Sequence, residues 1–259
     1  MSRPGDSCRT RSDLGGMMAH TLSHVREVLA PKGRLRVAIN LGNAALAMRD
    51  EATGELGGVS VVLARELAGR LGVEADFVTF NGAGKVFAAI DTDEWDIGFL
   101  AIDPKRAEKL SFTSPYVIIS SSYVVPEASP FRSCAEVDSP GTRIAVAKNA
   151  AYDLWLAKHA KHAEIVHNDA PGTSLQMFID EGLDAGAGVT QVLHRFVAEH
   201  PGYRVLPDSF ATIEQAMTVP AKNVGAVPFL SAFIEEMKQS GFVRAALDAS
   251  GRTEVAVAP

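Results

Sequence analysis

The residues best suited to chemistry lie in the stretch Asp96–Tyr116. Asp103 has the side chain of a helix N-cap and Pro104 suits the first helical position, so Arg106 falls in the first turn of a short helix. A guanidinium beside free backbone N–H groups attracts a carboxylate or a phosphate. These residues therefore indicate an anion-binding site. The alternative is an arginine that is exposed on a helix turn.

Two further strand-to-helix turns carry polar residues that belong with such a site. Lys85 follows the predicted strand Glu74–Phe80 at the start of a helix, where α/β sheets bind their ligands. It is either an accessory cation near the cleft or a surface lysine, and the full spacing of a phosphate-binding P-loop is missing. Asn149 follows the predicted strand Arg143–Ala147 and can cap the next helix.

The composition excludes several kinds of function. The chain has 259 residues, 47% hydrophobic and 22% charged, which is ample for one domain or two lobes. Its 31 acidic and 25 basic residues form no basic stripe, so a nucleic-acid partner is not expected. No apolar run is long enough to span a bilayer. Cys8 and Cys134 lie far apart and the histidines lack metal-ligand spacing, so no disulfide framework, metal or cofactor is expected.

The segments on either side of these residues alternate between strand patterns and helix patterns, which favours an α/β fold. Asp96–Ala101 is a continuous apolar run, typical of a parallel strand covered on both faces. Other strands are predicted at Arg34–Ile39, Glu74–Phe80, Val117–Val125, Arg143–Ala147, Glu164–Asn168, Leu183–Val189, Tyr203–Pro207 and Thr212–Val219. Helices are predicted at Ser60–Leu71, Ser174–Glu181, Val227–Gln239 and Phe242–Ala249, and a hairpin-like turn at Asp50–Gly58.

The N-terminal residues affect the expected location of the protein. Met1–Gly16 is polar and is predicted to be disordered, and Ala19–Leu29 has the spacing of a short amphipathic helix. Neither segment contains the apolar core of a secretory signal. A cytoplasmic location is therefore favoured, and a periplasmic one is the alternative.

The central stretch also resembles a known family. Asp96, Pro104-Lys105-Arg106 and Phe112-Thr113-Ser114-Pro115-Tyr116 occur in the order typical of family 3 extracellular solute-binding proteins, the amino-acid receptors of ABC transporters. The resemblance covers the chain from Arg34 to its C-terminus. It implies a two-lobed type 2 periplasmic-binding-protein-like fold, with a mostly parallel sheet and flanking helices in each lobe and two hinge crossings. It also implies that Arg106 holds the carboxylate of a small anionic or zwitterionic ligand, and that the protein is a monomer serving an ABC permease.

The chain departs from the family pattern at positions that would face the ligand. Phe99 and Ala101 stand where the family has a glycine and a threonine, so one hydroxyl beside the carboxylate is missing. The loop at Asn43 lacks the family's aromatic clamp. Val189 replaces the aspartate that pairs with the ligand's α-ammonium, and Gln191 follows two positions later. Because valine accepts no hydrogen bond, an unaminated carboxylate is expected to bind better than an ordinary L-α-amino acid.

The same resemblance sets the predicted division of the chain. Residues 1–33 are a tail and a short helix, residues 34–123 and 212–259 form the first lobe, and residues 124–211 form the second. The resemblance also implies that the turn before the helix of the second lobe contacts the ligand carboxylate. In this turn Asn149 replaces a glycine, and Ala150 cannot supply the family's hydroxyl.

Two other functions remain open at the sequence level. One is a cytoplasmic ligand sensor. The other is a dehydratase-like enzyme on a cyclic carboxylate, since some relatives of this fold have that activity. Such an enzyme needs a general acid in the cleft, and Glu214 and Asp103 are the candidates. No nucleophile elbow or Cys–His pair indicates another chemistry, so the protein is expected not to be an enzyme.

Overall fold

The structure, a computed structural model, describes residues 22–259. The predicted disordered segment Met1–Gly16 and the first residues of the predicted helix Ala19–Leu29 lie outside this range. Residues 22–29 form helix α1, which buries Val25 and Leu29. The described part of the amphipathic helix is therefore confirmed.

The remaining elements alternate as expected. The strands are β1 (Arg34–Asn40), β2 (Met48–Arg49), β3 (Leu56–Gly57), β4 (Glu74–Phe80), β5 (Ile97–Ala101), β6 (Leu110–Pro126), β7 (Arg143–Ala147), β8 (Glu164–Asn168), β9 (Ala185–Val189), β10 (Tyr203–Val205), β11 (Ala211–Pro220) and β12 (Ala256–Val257). The helices are α2 (Val59–Leu71), α3 (Ala83–Ala88), α4 (Pro104–Ala107), α5 (Ala151–His159), α6 (Pro171–Asp180), α7 (Thr190–Glu199), α8 (Val227–Gln239) and α9 (Phe242–Ala249).

Several predicted boundaries differ from the structure, and three of them are informative. The helix expected at Ser174–Glu181 begins at Pro171, because proline fits the first helical position. The strand expected at Tyr203–Pro207 ends at Val205, shortly before a proline that has no N–H to donate. The strand expected at Val117–Val125 begins earlier, and β6 extends from Leu110 to Pro126.

Each of two lobes is built on three parallel strands. In the first lobe, β1 lies between β4 and β5. In the second lobe, β7 lies between β8 and β9. Every residue of β5 is buried, as its continuous apolar run predicted, and every residue of β9 is buried as well. The described part of the chain contains no helix that is both long enough and apolar enough to cross a membrane.

Two long antiparallel strands connect the lobes. β6 pairs with β11 from Ser121 opposite Ala211 to Leu110 opposite Pro220, and β9 of the second lobe pairs with the far end of β6. The result is one sheet in the order β4-β1-β5-β11-β6-β9-β7-β8. The ladder of β11 is irregular at Gln215, where the register shifts. The predicted lobe boundaries fall at the ends of this strand pair and remain a prediction.

A buried ion pair joins two strands of the first lobe. The Asp96 carboxylate precedes β5 and accepts three hydrogen bonds from Arg36 on β1, from the backbone N–H at 3.0 Å, from Nε at 3.0 Å and from Nη2 at 2.6 Å. This carboxylate raises the pKa of Arg36. The pair therefore fixes the start of β5, the strand that leads to Arg106.

We expect Asp96→Ala to lower the free energy of unfolding by about 2–4 kcal/mol, because it leaves a largely buried guanidinium unpaired. The matched control is Asp91→Ala, which breaks an exposed ion pair with Lys109 at 2.7 Å and should cost under about 1 kcal/mol. Urea denaturation of the three proteins measures both values. Equal losses in the two variants would show that the Arg36–Asp96 pair has no special structural role.

Candidate ligand-binding site

The candidate site lies where the carboxyl ends of the parallel strands of both lobes meet, the usual ligand position in such sheets. A small cavity of about 40 Å³ lies between the lobes. The residues that line it are Asn40, Gly42, Asn43, Ala83, Leu100, Ala101, Arg106, Ile119, Ala150, Ala151, Tyr152, Pro171, Val189, Ile213 and Gln215. A second, smaller cavity of about 10 Å³ adjoins it and shares Asn40, Asn43 and Gln215. Each lobe therefore contributes residues from the ends of its three parallel strands.

Arg106 is the charged residue of the main cavity. It is 2% exposed, so the alternative of a surface arginine is wrong. As expected, the Asp103 side chain caps α4, accepting the N–H of Lys105 at 2.8 Å, and Pro104 occupies the first turn. This cap fixes the short helix that directs the guanidinium inward.

The contacts of Arg106 leave its charge without a paired carboxylate. Its Nη1 donates to the Ala101 carbonyl and its Nη2 to the Asn149 carbonyl, both at 3.0 Å. Burial lowers the pKa of Arg106 to about 10, and the negative charge of Asp103 opposes this shift. The guanidinium therefore remains charged at neutral pH. A buried cation held only by neutral carbonyls is suited to an anionic ligand.

The other residues predicted from the sequence divide into two groups. Asn43, Ala101, Ala150 and Val189 line the main cavity, and Phe99 lines the adjoining one. Phe99 also packs edge-to-face on Tyr116. Lys85, Asn149 and Gln191 line neither cavity. Lys85 is exposed on α3, while the Gln191 Oε1 is buried without a hydrogen-bond partner.

The prediction that Asn149 caps the next helix is wrong. Ala150 is the N-cap residue of α5, and no side chain caps that helix. Asn149 instead adopts a left-handed backbone with φ of 59°, which lets its carbonyl accept Arg106. Its own N–H donates to the Asp153 carboxylate at 2.7 Å, in the first turn of the helix. Asn149 thus contributes backbone geometry rather than a side-chain cap.

Sequence reasoning missed three polar residues of the site. Asn40 ends β1, and Tyr152 lies in the first turn of α5. Gln215 is buried on β11, whereas the neighbouring Glu214, singled out from the sequence, is exposed. The alternation of buried and exposed residues along β11 was the signal that could have identified Gln215 instead of Glu214.

The polar lining of the cavities is neutral apart from Arg106. Three side-chain amides and the hydroxyls of Tyr152 and Ser60 accompany it, and no aspartate or glutamate is among the lining residues of either cavity. Asn43 Oδ1 and Tyr152 Oη are buried and lack hydrogen-bond partners. Burial raises the pKa of Tyr152, so its hydroxyl remains a donor. Residues 22–259 contain no cluster of His, Cys, Asp and Glu side chains that could hold a metal.

The fold and the site define a two-lobed solute-binding protein whose cleft lies between its lobes. The chain belongs to the family described as bacterial extracellular solute-binding proteins, family 3, whose sequence profile matches residues 35–249. The resemblance drawn from the sequence and the predicted fold class are therefore confirmed.

Individual relatives agree with this assignment. Over 125 residues the chain is 27% identical to the L-cystine-binding protein TcyJ of Escherichia coli (strain K12), covering 48% of this chain and 47% of that protein. The chain thus matches about half the length of its curated relatives. The solute receptor for L-cysteine of Neisseria gonorrhoeae has a similar fold, with a TM-score of 0.76, 21% identity, and coverage of 88% of this chain and 92% of that one.

A further solved structure is similar in fold. It is the ancestral amino acid-binding protein AncCDT-1, described as a precursor of cyclohexadienyl dehydratase. The TM-score is 0.73 at 20% identity, and the match covers 88% of this chain and 98% of that chain. The family and its neighbours are thus mainly binding proteins.

We expect Asn149→Ala to lower the free energy of unfolding by about 1 kcal/mol, because alanine is strained in the left-handed region. Asn149→Gly serves as the control and should be close to neutral, since glycine adopts this backbone without strain. The side-chain contact with Lys105 at 3.4 Å is exposed and is lost in both variants. Urea denaturation should therefore give a lower free energy of unfolding for Asn149→Ala than for Asn149→Gly. Identical unfolding curves would contradict a backbone role for Asn149.

Proposed function

We propose that this protein is the substrate-binding component of an ABC importer and closes its two lobes around a small carboxylate-bearing ligand. The observation that carries the proposal is the charged guanidinium of Arg106, buried between the lobes without an acidic partner. Membership of the solute-binding family supports the same function. Hinge closure around a ligand is a general behaviour of two-lobed binding proteins.

The lining of the cavity favours a ligand whose carboxylate is its main charge. An α-ammonium group loses its hydration in a closed cleft and needs an anionic or carbonyl partner. Val189 and Ala101 supply neither through their side chains. The amide oxygens of Asn43 and Gln215 can accept a hydrogen bond and reduce this cost. We therefore propose an organic acid or a weakly bound amino acid as the ligand.

An ABC permease is the proposed protein partner. The family description is extracellular, which favours the periplasmic alternative over a cytoplasmic sensor. Fractionation of cells that produce the full-length protein tests this part of the proposal. Recovery with the cytoplasmic fraction alone would favour the sensor.

A dehydratase-like enzyme is less consistent with the arrangement of acids. Glu214 is exposed and uses its backbone carbonyl to accept the N–H of Ile102. Asp103 caps α4 through Oδ1 and pairs with Lys158 through Oδ2 at 3.3 Å. Neither acid lines the main or the adjoining cavity, so neither is placed there as a general acid.

A thermal-shift screen of small carboxylates identifies the ligand class. The panel includes L-cystine and L-cysteine, the ligands in the names of two relatives, together with their deaminated analogues and small organic acids. A ligand at a hundred times its dissociation constant should stabilise the protein by about 2.7 kcal/mol. Chromatography of the same samples detects any product, and turnover would favour the enzyme.

We expect Arg106→Ala to weaken binding of the best carboxylate more than tenfold, since a hydrogen bond to a charged group contributes about 1.5–3 kcal/mol. Arg106→Lys should restore only part of the affinity, because an ammonium group cannot form the bidentate fork. Arg195→Ala, which breaks an exposed pair with Glu199, is the control and should bind normally. Unchanged calorimetric affinity in Arg106→Ala would exclude this residue from the site.

We expect Val189→Asp to reverse the preference between an amino acid and its deaminated analogue. The new carboxylate would pair with the α-ammonium, and aspartate also suits the N-cap position that Val189 occupies in α7. Val189→Asn is the matched uncharged control. Isothermal titration of both ligands against the three proteins measures the change. Submicromolar binding of the amino acid by the wild type, far tighter than the analogue, would show that the cavity already satisfies an ammonium group.

A further inference from the structure

The glycine-rich turn before Lys85 has no role as a phosphate loop, yet it lies at the junction of the two lobes. Gly84 is in the first turn of α3, in the first lobe. A Cβ atom added there would lie 2.9 Å from the Cβ of Asn149 and 3.0 Å from the Lys148 carbonyl oxygen, both in the second lobe. Gly82 approaches the same lobe less closely, with 3.7 Å from its added Cβ to the Asp169 carbonyl. The two lobes therefore meet through glycine backbone at this point.

The contact of Gly84 adjoins the contact of Arg106 with the second lobe. The backbone carbonyl of Asn149 accepts a hydrogen bond from Arg106, and the side-chain oxygen of Asn149 accepts one from Lys105. The Asp103–Lys158 ion pair also connects α4 to α5. These contacts join the same two lobes, so a change of spacing at Gly84 changes the spacing at Arg106.

The local conformation does not explain the glycine. The backbone of Gly84 is helical and does not enter the left-handed region that favours glycine. Alanine at an ordinary helical position is more favourable than glycine by about 1 kcal/mol. An alanine side chain at this position would leave too little room for the Lys148–Asn149 turn. The close approach of the lobes is therefore the physical reason for a residue without a side chain.

We propose that Gly84 is a positioning residue for ligand binding, whose missing side chain allows the lobes to close far enough for Arg106 to reach its partners in the second lobe. Gly84 acts through the Asn149 turn and does not line the cavity. The inference rests on the proposed function, because closure is useful only if a ligand is enclosed. Its test therefore includes a measurement that does not depend on knowing the ligand.

The binding test uses Gly84→Ala and Gly84→Leu, with Gly172→Ala and Gly172→Leu as matched controls. Gly172 is also the second residue of a helix, but its added Cβ would meet nothing within 4 Å. The probe is the strongest binder among L-cystine, L-cysteine and their deaminated analogues. We expect Gly84→Ala to weaken its binding about tenfold, the equivalent of one hydrogen bond to a charged group, and Gly84→Leu to weaken it further. The Gly172 variants should bind like the wild type.

Thermal unfolding separates positioning from a structural role. Gly84→Ala should unfold at the same temperature as the wild type or higher, as Gly172→Ala should, because both add a better helix former. Lower affinity at undiminished stability is the expected signature. If Gly84→Ala loses stability and affinity together while Gly172→Ala loses neither, Gly84 is a packing residue and the proposal is wrong.

Spin-label distances measure closure directly. Labels are placed by Asp76→Cys on β4 and Lys161→Cys near β8, both exposed, in a Cys8→Ser background. Cys134 is buried and burial raises its pKa to about 12, so it stays unlabelled. Pulsed electron resonance should show the distance of the closed structure in the wild type, with or without the probe, and a longer distance in Gly84→Leu.

Each outcome of the distance measurement decides the proposal. A longer distance in Gly84→Leu but not in Gly172→Leu supports the role of Gly84 in closure. If this result is obtained and no probe binds, only the proposed function fails. Equal distances in the wild type and both variants overturn the proposal. The proposal is also overturned if the wild type never shows the closed distance, because Gly84 then does not approach the Lys148–Asn149 turn.

Discussion

Burial of one positive charge between two lobes is the interaction on which the site depends. The Arg106 guanidinium is buried away from water, and it donates hydrogen bonds only to two backbone carbonyls. One of these belongs to its own lobe and the other to the opposite lobe. The arginine is therefore both the candidate anion site and a connection between the lobes. An anionic ligand would stabilise the buried charge and the closed arrangement together.

Several separate features serve to hold this arginine in place. The Arg36–Asp96 pair fixes the start of β5, and Asp103 caps the short helix that follows it. In the second lobe, Asp153 holds the Asn149 turn through the backbone N–H of Asn149. The carboxylates of this region thus support backbone positions and leave the cavity lining free of negative charge. This arrangement preserves the positive potential that an anion requires.

The paired strands β6 and β11 connect the two lobes. The two lobes share one sheet, because β9 of the second lobe pairs with the far end of β6, and β6 pairs with β11 along most of its length. A change in the twist of these two strands would alter the distance between Gly84 and the Asn149 turn. Gln215 lies at the irregularity of β11 and lines both cavities, so the strand pair also contributes directly to the site.

The sequence by itself determined the α/β alternation, most strand and helix bounds and the cap at Asp103. It also led to the proposal that Arg106 binds an anion. These follow from local periodicity and from side-chain chemistry within a few residues. It also showed that Val189 and Ala101 cannot bind an ammonium group through their side chains. The tertiary structure decided the features that depend on contacts between distant segments of the chain. It placed Asn149 in a left-handed turn instead of a helix cap, buried Gln215 in place of Glu214, and brought Gly84 against Asn149. Such approaches between remote parts of the chain leave no local pattern, because they depend on how two packed lobes are oriented by the strands between them.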